Sequence, residues 1–184
     1  MGPDWDQRYR EGFYDGDVQA HQLLRRFWRL LPTGPVIDVA SGTGRDIVYV
    51  AGKGHPGVGL ERSAEGLKIA RKNAEGTGVL LVRGEAGSLP FKRELAAGVL
   101  VFYFLDRGMT DQIYGLLKEG GILFYETFLE RQNMVGRRRN PDYLLGDGEL
   151  LGFFGVLETL FYEETVSLSE GKRRALAKFV GRKR

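Results

Sequence analysis

Val36-Ile37-Asp38-Val39-Ala40-Ser41-Gly42-Thr43-Gly44-Arg45-Asp46 is the stretch that decides the fold. Its opening residues are apolar and β-branched around a single acid, which suits a short parallel strand covered on both faces. Gly42 and Gly44 let the backbone turn sharply and let a ligand approach without meeting a Cβ. The helix predicted from Arg45 points free N–H groups at the same place. Strand, glycine turn and helix together make a cradle for a ligand with polar or anionic groups. Asp38 belongs to that cradle, because a carboxylate inside an apolar strand is costly without a partner.

Downstream, the pattern continues. A helix over Arg45 to Lys53 is ended by Gly54, and Val58 to Glu61 reads as a second strand. Ser63 can cap a helix reaching about Ala74, closed by Gly76-Thr77-Gly78. Val79 to Val82 is a third strand, running into Arg83-Gly84-Glu85-Ala86, and Ala96 to Phe104 is a fourth, strongly apolar one. Thr110 to Lys118 reads as a helix, Glu119-Gly120-Gly121 as a turn and Ile122 to Phe128 as strand five. Leu129 to Asp142 is polar and basic, and Tyr143 to Phe154 reads as helical. Val156 to Val166 and Arg173 to Val180 then form two strands joined by Ser167 to Lys172. Alternating β and α units predict an α/β, Rossmann-like, doubly wound and mostly parallel seven-stranded sheet with a C-terminal antiparallel hairpin. No repeat, linker or second domain interrupts residues 1–184.

Upstream, Trp5 to Asp17 is polar, weakly helical and aromatic, with Trp5, Tyr9, Phe13 and Tyr14. It reads equally as an arm filling a satellite cluster and as a lid over the glycine turn. Val18 to Leu31 carries an apolar helical stripe and is stopped by Pro32-Thr33-Gly34-Pro35. Residues 1–31 thus form an arm and helix able to act as a lid, with His21 expected at the surface or on that lid.

Composition narrows the function. Among 184 residues there is no cysteine, which excludes disulfides, a thiol nucleophile and cysteine metal sites. With only His21 and His55, no metal is expected. No apolar run reaches the ~18 residues of a membrane span, and the acidic, polar start argues against a signal peptide. A cytoplasmic setting fits. The net charge of +3 hides an asymmetry: Gly171 to Arg184 holds seven Lys or Arg and no acid, and without them the chain is at −4. Solvated strand ends explain such a run more simply than nucleic acid.

The glycine turn is not a dinucleotide fingerprint, since Ile47 stands where a third glycine belongs, and no Gly-Lys-Ser or Gly-Lys-Thr marks a phosphate loop. Four features do occur in order: Asp38 before the turn, Glu61 ending strand two, Glu85-Ala86 after strand three, and Glu119-Gly120-Gly121 before strand five. This series resembles the class I S-adenosylmethionine-dependent methyltransferases. The resemblance implies that Asp38 and the turn Ala40, Ser41, Gly42 and Gly44 hold the methionine end of S-adenosylmethionine. It implies Glu61 and Arg62 at the ribose and Glu85 and Ala86 at adenine. Two departures stand out: Ala40 replaces the first turn glycine, and Glu85 replaces the usual aspartate. Trp5-Asp6 with Arg8-Tyr9, Phe104-Leu105-Asp106-Arg107 and Tyr125-Glu126-Thr127-Phe128 are similar to the small bacterial tellurite-resistance-type group. That likeness implies a small substrate or an oxyanion.

Methyl transfer is an in-line displacement governed by alignment, and aromatic faces favour a nearby cation. Phe102, at the mouth of strand four, and Tyr9 are assigned to the cofactor. Tyr14, Tyr103 and Arg107 are assigned to the acceptor, with Arg137-Arg138-Arg139 able to reach an anion. Phe102-Tyr103-Phe104-Leu105 replaces the Asn-Pro-Pro-aromatic motif of amine-methylating relatives, so methylation of base amines or glutamine is disfavoured. Tyr103 and Glu126, with His21, are the candidate bases, although a soft nucleophile needs none. The sequence therefore points to a methyltransferase acting on a small molecule. An RNA methyltransferase and a non-catalytic cofactor-binding protein are the alternatives.

Overall fold

The computed structural model describes residues 4–12, 14, 19–169 and 172–184. Its strands are β1 (Val36–Val39), β2 (Gly57–Glu61), β3 (Leu80–Arg83), β4 (Ala96–Phe102), β5 (Leu117–Phe128), β6 (Glu158–Ser169) and β7 (Lys172–Arg182). They form one sheet in the order β3-β2-β1-β4-β5-β7-β6. The first five are mutually parallel, while β7 runs antiparallel to both β5 and β6. The helices are α1 (Trp5–Arg10), α2 (Gln22–Phe27), α3 (Arg45–Ala51), α4 (Ala64–Asn73), α5 (Thr110–Leu116), α6 (Gln132–Val135) and α7 (Glu149–Phe154). The expected α/β sheet with its C-terminal hairpin is the observed one.

Alternation along the strands builds a core on each face of the sheet. Ile37, Val39, Val99 and Val101 face Met109, Ile113, Leu116 and Phe154. Val36, Leu100, Ile122 and Phe124 face Leu23, Leu24, Ile47 and Val50. β1 and β4 are buried along their whole length. Strand order reverses between them, and the crevice at the carboxyl ends of such a pair is where open α/β sheets bind ligands.

Four local expectations change. The helix expected from Val18 to Leu31 is the shorter α2 plus a 3₁₀ turn at Trp28–Leu30. Val18, Phe13 and Asp17 lie outside the described residues. Glu119-Gly120-Gly121 is not a turn between helix and strand. β5 begins at Leu117 and runs through it as an irregularity, its partners stepping from Ala96 opposite Leu117 to Gly98 opposite Ile122. Gly120 supplies the positive φ of 73° that such a bulge requires. The helix expected from Tyr143 starts only at Glu149, because Leu145 pairs with Leu129 and Gly148 sits at φ 75°. Finally, the basic C-terminal run is the inner strand β7. Lys178 pairs with Glu163 at 3.2 Å, and Lys183 donates to the Leu117 carbonyl at 2.8 Å. Among the described residues, no helix is long and apolar enough to cross a membrane.

Candidate active site

The cradle read from the sequence closes as a physical pocket. The chain reverses after β1 through three left-handed residues: Ala40 at φ 57°, Gly42 at 56° and Gly44 at 77°. Ala40 therefore takes the conformation its Cβ disfavours, which costs about 1–2 kcal/mol relative to glycine. The reversal is stapled from the next strand. Glu61, 5% exposed at the end of β2, accepts the Gly42 N–H at 2.9 Å and the Ser63 N–H at 2.7 Å. Burial raises the Glu61 pKa, and those N–H groups work against the rise.

Asp38 lies beneath the turn, 2% exposed, and its Oδ2 has no hydrogen-bond partner. Ser41 Oγ is likewise buried without one. Burial, and then the neighbouring carboxylates of Asp46 and Glu61, push the Asp38 pKa well above the ordinary aspartate value. A buried acid of this kind is matched by a ligand that brings a cation or donors to it. Orphaned Asp38 and Ser41, together with a left-handed turn beside them, fit the amino-acid end of S-adenosylmethionine.

The arm closes one side of the cleft. Asp4 caps α1, and Asp6 reaches across to α4, accepting from the Ser63 hydroxyl and from the Glu65 N–H at 3.2 Å. These bonds seat Tyr9, which is buried, against two glycines. A Cβ on Gly66 would lie 2.8 Å from Tyr9 Cε2, and one on Gly42 would lie 3.0 Å from its hydroxyl. Tyr14 packs on Tyr9 with ring centroids 4.8 Å apart.

His21 is a correction. It is 6% exposed, not a surface group, and the N-cap residue of α2. Its backbone N–H donates to Asp46 Oδ1 at 2.7 Å, and its Nδ1 lies 2.8 Å from Asp46 Oδ2. Arg45, which can only donate, stands 2.7 Å from Nε2. Nε2 therefore accepts, and the proton of a neutral ring sits on Nδ1, facing Asp46. Burial opposes the Asp46 charge, but the His21 and Arg45 contacts outweigh it and hold its pKa below the ordinary value. Asp46 was missed in the sequence, where it reads as an ordinary first-turn acid of α3.

The far wall is aromatic and basic. Phe102 stacks on His21 at 4.0 Å. Tyr103, at a left-handed φ of 56°, meets His21 edge-on at 4.7 Å and stacks on Phe128 at 4.7 Å. Glu126 is 4% exposed and bonds to the Tyr103 side chain, so it stands behind Tyr103 instead of lining the cleft. Arg107 lines the cleft but spends its donors on the protein. Nε and Nη2 contact Glu149 at 2.6 and 3.0 Å, while Nη1 and Nη2 reach the carbonyls of Asp142 and Leu144. At the opposite end, Glu85 is exposed and lies 3.4 Å from Arg62, beside Ala86. The whole cleft encloses about 960 Å³.

Residues 36–121 match a family model described as a methyltransferase domain. That stretch carries a methyltransferase domain, and the chain around it has the fold of the class I S-adenosylmethionine-dependent methyltransferases. The chain is similar in structure to TehB from Haemophilus influenzae (TM-score 0.78, 12% identity, 97% of this chain and 67% of that one). It is also similar to the PH0226 protein of Pyrococcus horikoshii (TM-score 0.74, 14% identity, 98% and 100% covered). A third similar structure is the geranyl diphosphate C-methyltransferase of Streptomyces coelicolor, solved with Mg2+, geranyl diphosphate and S-adenosyl-L-homocysteine (TM-score 0.67, 13% identity, 87% and 76% covered). No curated protein matches the chain in sequence. S-adenosylmethionine is the cofactor of the methyltransferase.

Proposed function

We propose that the methyltransferase is a cytoplasmic enzyme that methylates a small molecule, with residues 1–184 acting as one catalytic domain. The observation that carries the reading is the buried Asp38 carboxylate, its Oδ2 without a partner, beneath a turn of left-handed residues, at the edge of a cleft that continues into an aromatic wall. When bound, S-adenosylmethionine supplies a methyl group activated on a sulfonium. Asp38, Ala40, Ser41, Gly42 and Gly44 hold its amino-acid end, and Tyr9 covers the turn. Glu61 and Arg62 take the ribose. Each Glu61 oxygen already receives one backbone N–H and keeps a second acceptor site for a hydroxyl. Glu85 and Ala86 meet adenine, and Phe102 gives the cation an aromatic border.

On the acceptor side, Tyr14 and Tyr103 position the incoming nucleophile. Tyr103 is held by the buried Glu126, so a proton released by the acceptor can move to the Tyr103 oxygen while the phenolic proton moves to Glu126. Burial raises the Glu126 pKa, which suits a proton acceptor. Arg107 keeps the 142–144 segment in place as one edge of the acceptor space. The pairing of β7 cations with β6 and β5-side groups speaks against an RNA-binding tail.

The test is calorimetry of purified protein with S-adenosylhomocysteine, followed by methyl-transfer assays on a panel of small acceptors. Saturable binding that is lost in Asp38→Ala is the expected outcome. Absence of binding at high micromolar ligand would sink the proposal.

A further inference from the structure

Arg107 is occupied internally, and the positive charge facing the acceptor space comes from elsewhere. Arg139, on the loop after α6, sets its guanidinium 3.6 Å over the Phe128 ring. Phe128 stacks on Tyr103, and Arg174 from β7 lies 5.1 Å over the Tyr103 ring and donates to its hydroxyl. The ring pair is thus bracketed by two arginines from different parts of the chain. Among the described residues, no carboxylate lies within ion-pair distance of Arg139. Desolvation and the charges of Arg174 and Arg137 lower its pKa, as expected where cations converge. An anion from outside the chain relieves that convergence.

The rest of this end of the cleft narrows the chemistry. Tyr14, Phe104 and Tyr143 line the cleft, Tyr14 close enough for its charge to act on Arg139 and Tyr143 42% exposed. These faces offer area to a flat apolar body, for which a bare oxyanion has no use. Asp106 and Asp142 line the same cleft. They tolerate a single negative charge better than the roughly two charges of a phosphate monoester.

We propose that the acceptor is a flat, apolar carboxylate, its anion held by Arg139 and its body lying against Tyr14 and Phe104. The proposal rests on the methyl-transfer reading for its meaning, but its binding site can be read independently.

The experiment titrates benzoate, benzamide and sulfate into the protein by calorimetry, with and without S-adenosylhomocysteine. Benzoate is expected to bind about tenfold or more tighter than benzamide, the size of one charge-assisted contact, and tighter than sulfate. Arg139→Gln is expected to remove that advantage while its melting temperature and S-adenosylhomocysteine affinity stay at wild-type values. Arg29→Gln, in the 3₁₀ turn after α2 and not among the residues lining the cleft, is expected to change nothing. Benzoate binding no better than benzamide, or undiminished in Arg139→Gln, overturns the proposal. Sulfate binding as tightly as benzoate overturns the flat body and leaves a simple oxyanion site. If benzoate binds through Arg139 but S-adenosylhomocysteine never binds, the methyl-transfer reading fails and the carboxylate site stands.

Discussion

His21 is tied to Asp46 twice, its backbone N–H to Oδ1 at 2.7 Å and its ring Nδ1 to Oδ2 at 2.8 Å, both almost fully buried. One carboxylate thereby fixes the start of α2, the His21 ring plane and the Phe102 face stacked on it. Asp46→Asn keeps the shape but replaces one acceptor oxygen with a donor facing a donor. It is expected to cost about 2 kcal/mol, read as a drop of roughly 4–8 °C in melting temperature. Because the folded-state pKa of Asp46 is depressed, its stabilisation is complete above the ordinary value of 3.8 and is lost as pH falls below it. Acid denaturation of the variant should therefore be shallower than that of the parent. Unchanged melting would show that the pair adds nothing net.

Asp38 has the opposite sign. Its pKa is raised, so the folded protein retains a proton there above 3.8, where the unfolded chain has lost it. Stability from this group falls as pH climbs through the interval between the two values. A cationic ligand favours the charged form, so binding should release a proton, and affinity for S-adenosylmethionine should rise as pH climbs above the ordinary aspartate value of 3.8 towards the raised value of the free protein. Calorimetry in buffers of different ionisation enthalpy measures that proton. Asp38→Asn should bind weakly and without pH dependence, and a parent with flat affinity over this range refutes the assignment.

Ala40 at φ 57° makes a rare forecast of improvement. Replacement by glycine removes about 1–2 kcal/mol of left-handed strain and restores about 0.5–1 kcal/mol of unfolded-chain entropy. The net expectation is a gain of some 0.5–1 kcal/mol, visible as a melting temperature higher by a few degrees. A fall would mean that the Ala40 methyl packs usefully against the ligand-free cleft.

Gly66 tests the arm. A glycine-to-alanine change inside a helix ordinarily stabilises by up to ~1 kcal/mol. Here the new Cβ would sit 2.8 Å from Tyr9 Cε2, so Gly66→Ala should expel Tyr9 and loosen α1. Limited proteolysis ought to cleave the N-terminal arm faster in the variant, and cofactor affinity should fall. In a Tyr9→Ala background the same substitution should become stabilising. Additive effects in that double-mutant cycle would disprove the contact.

Much of this architecture was legible in the chain. Asp38, Gly42 and Gly44 in one run, with Glu61 at the next strand end, sufficed for the sheet and the cradle. Local signals of short period carry such information: β-branched runs make buried strands, and glycine marks where a Cβ cannot go. Glu119-Gly120-Gly121 misled because a glycine pair signals a turn and a strand bulge alike. Tyr143 to Phe154 misled because the Leu129–Leu145 bridge, a long-range contact, overrode local helix propensity.

The side chains whose meaning depends on partners were decided by tertiary structure alone. His21 and Asp46 are 25 residues apart and meet only because α2 and α3 share one face of the sheet. Arg107 looked like an anion receptor until Glu149, 42 residues away, claimed it. Arg139 gained that role when the loop after α6 laid it over Phe128. The sequence by itself determined where the backbone turns and which residues frame the cradle, because those follow from residue type and spacing. Which charges remain for a substrate depends on distances across the fold, and no local pattern encodes them.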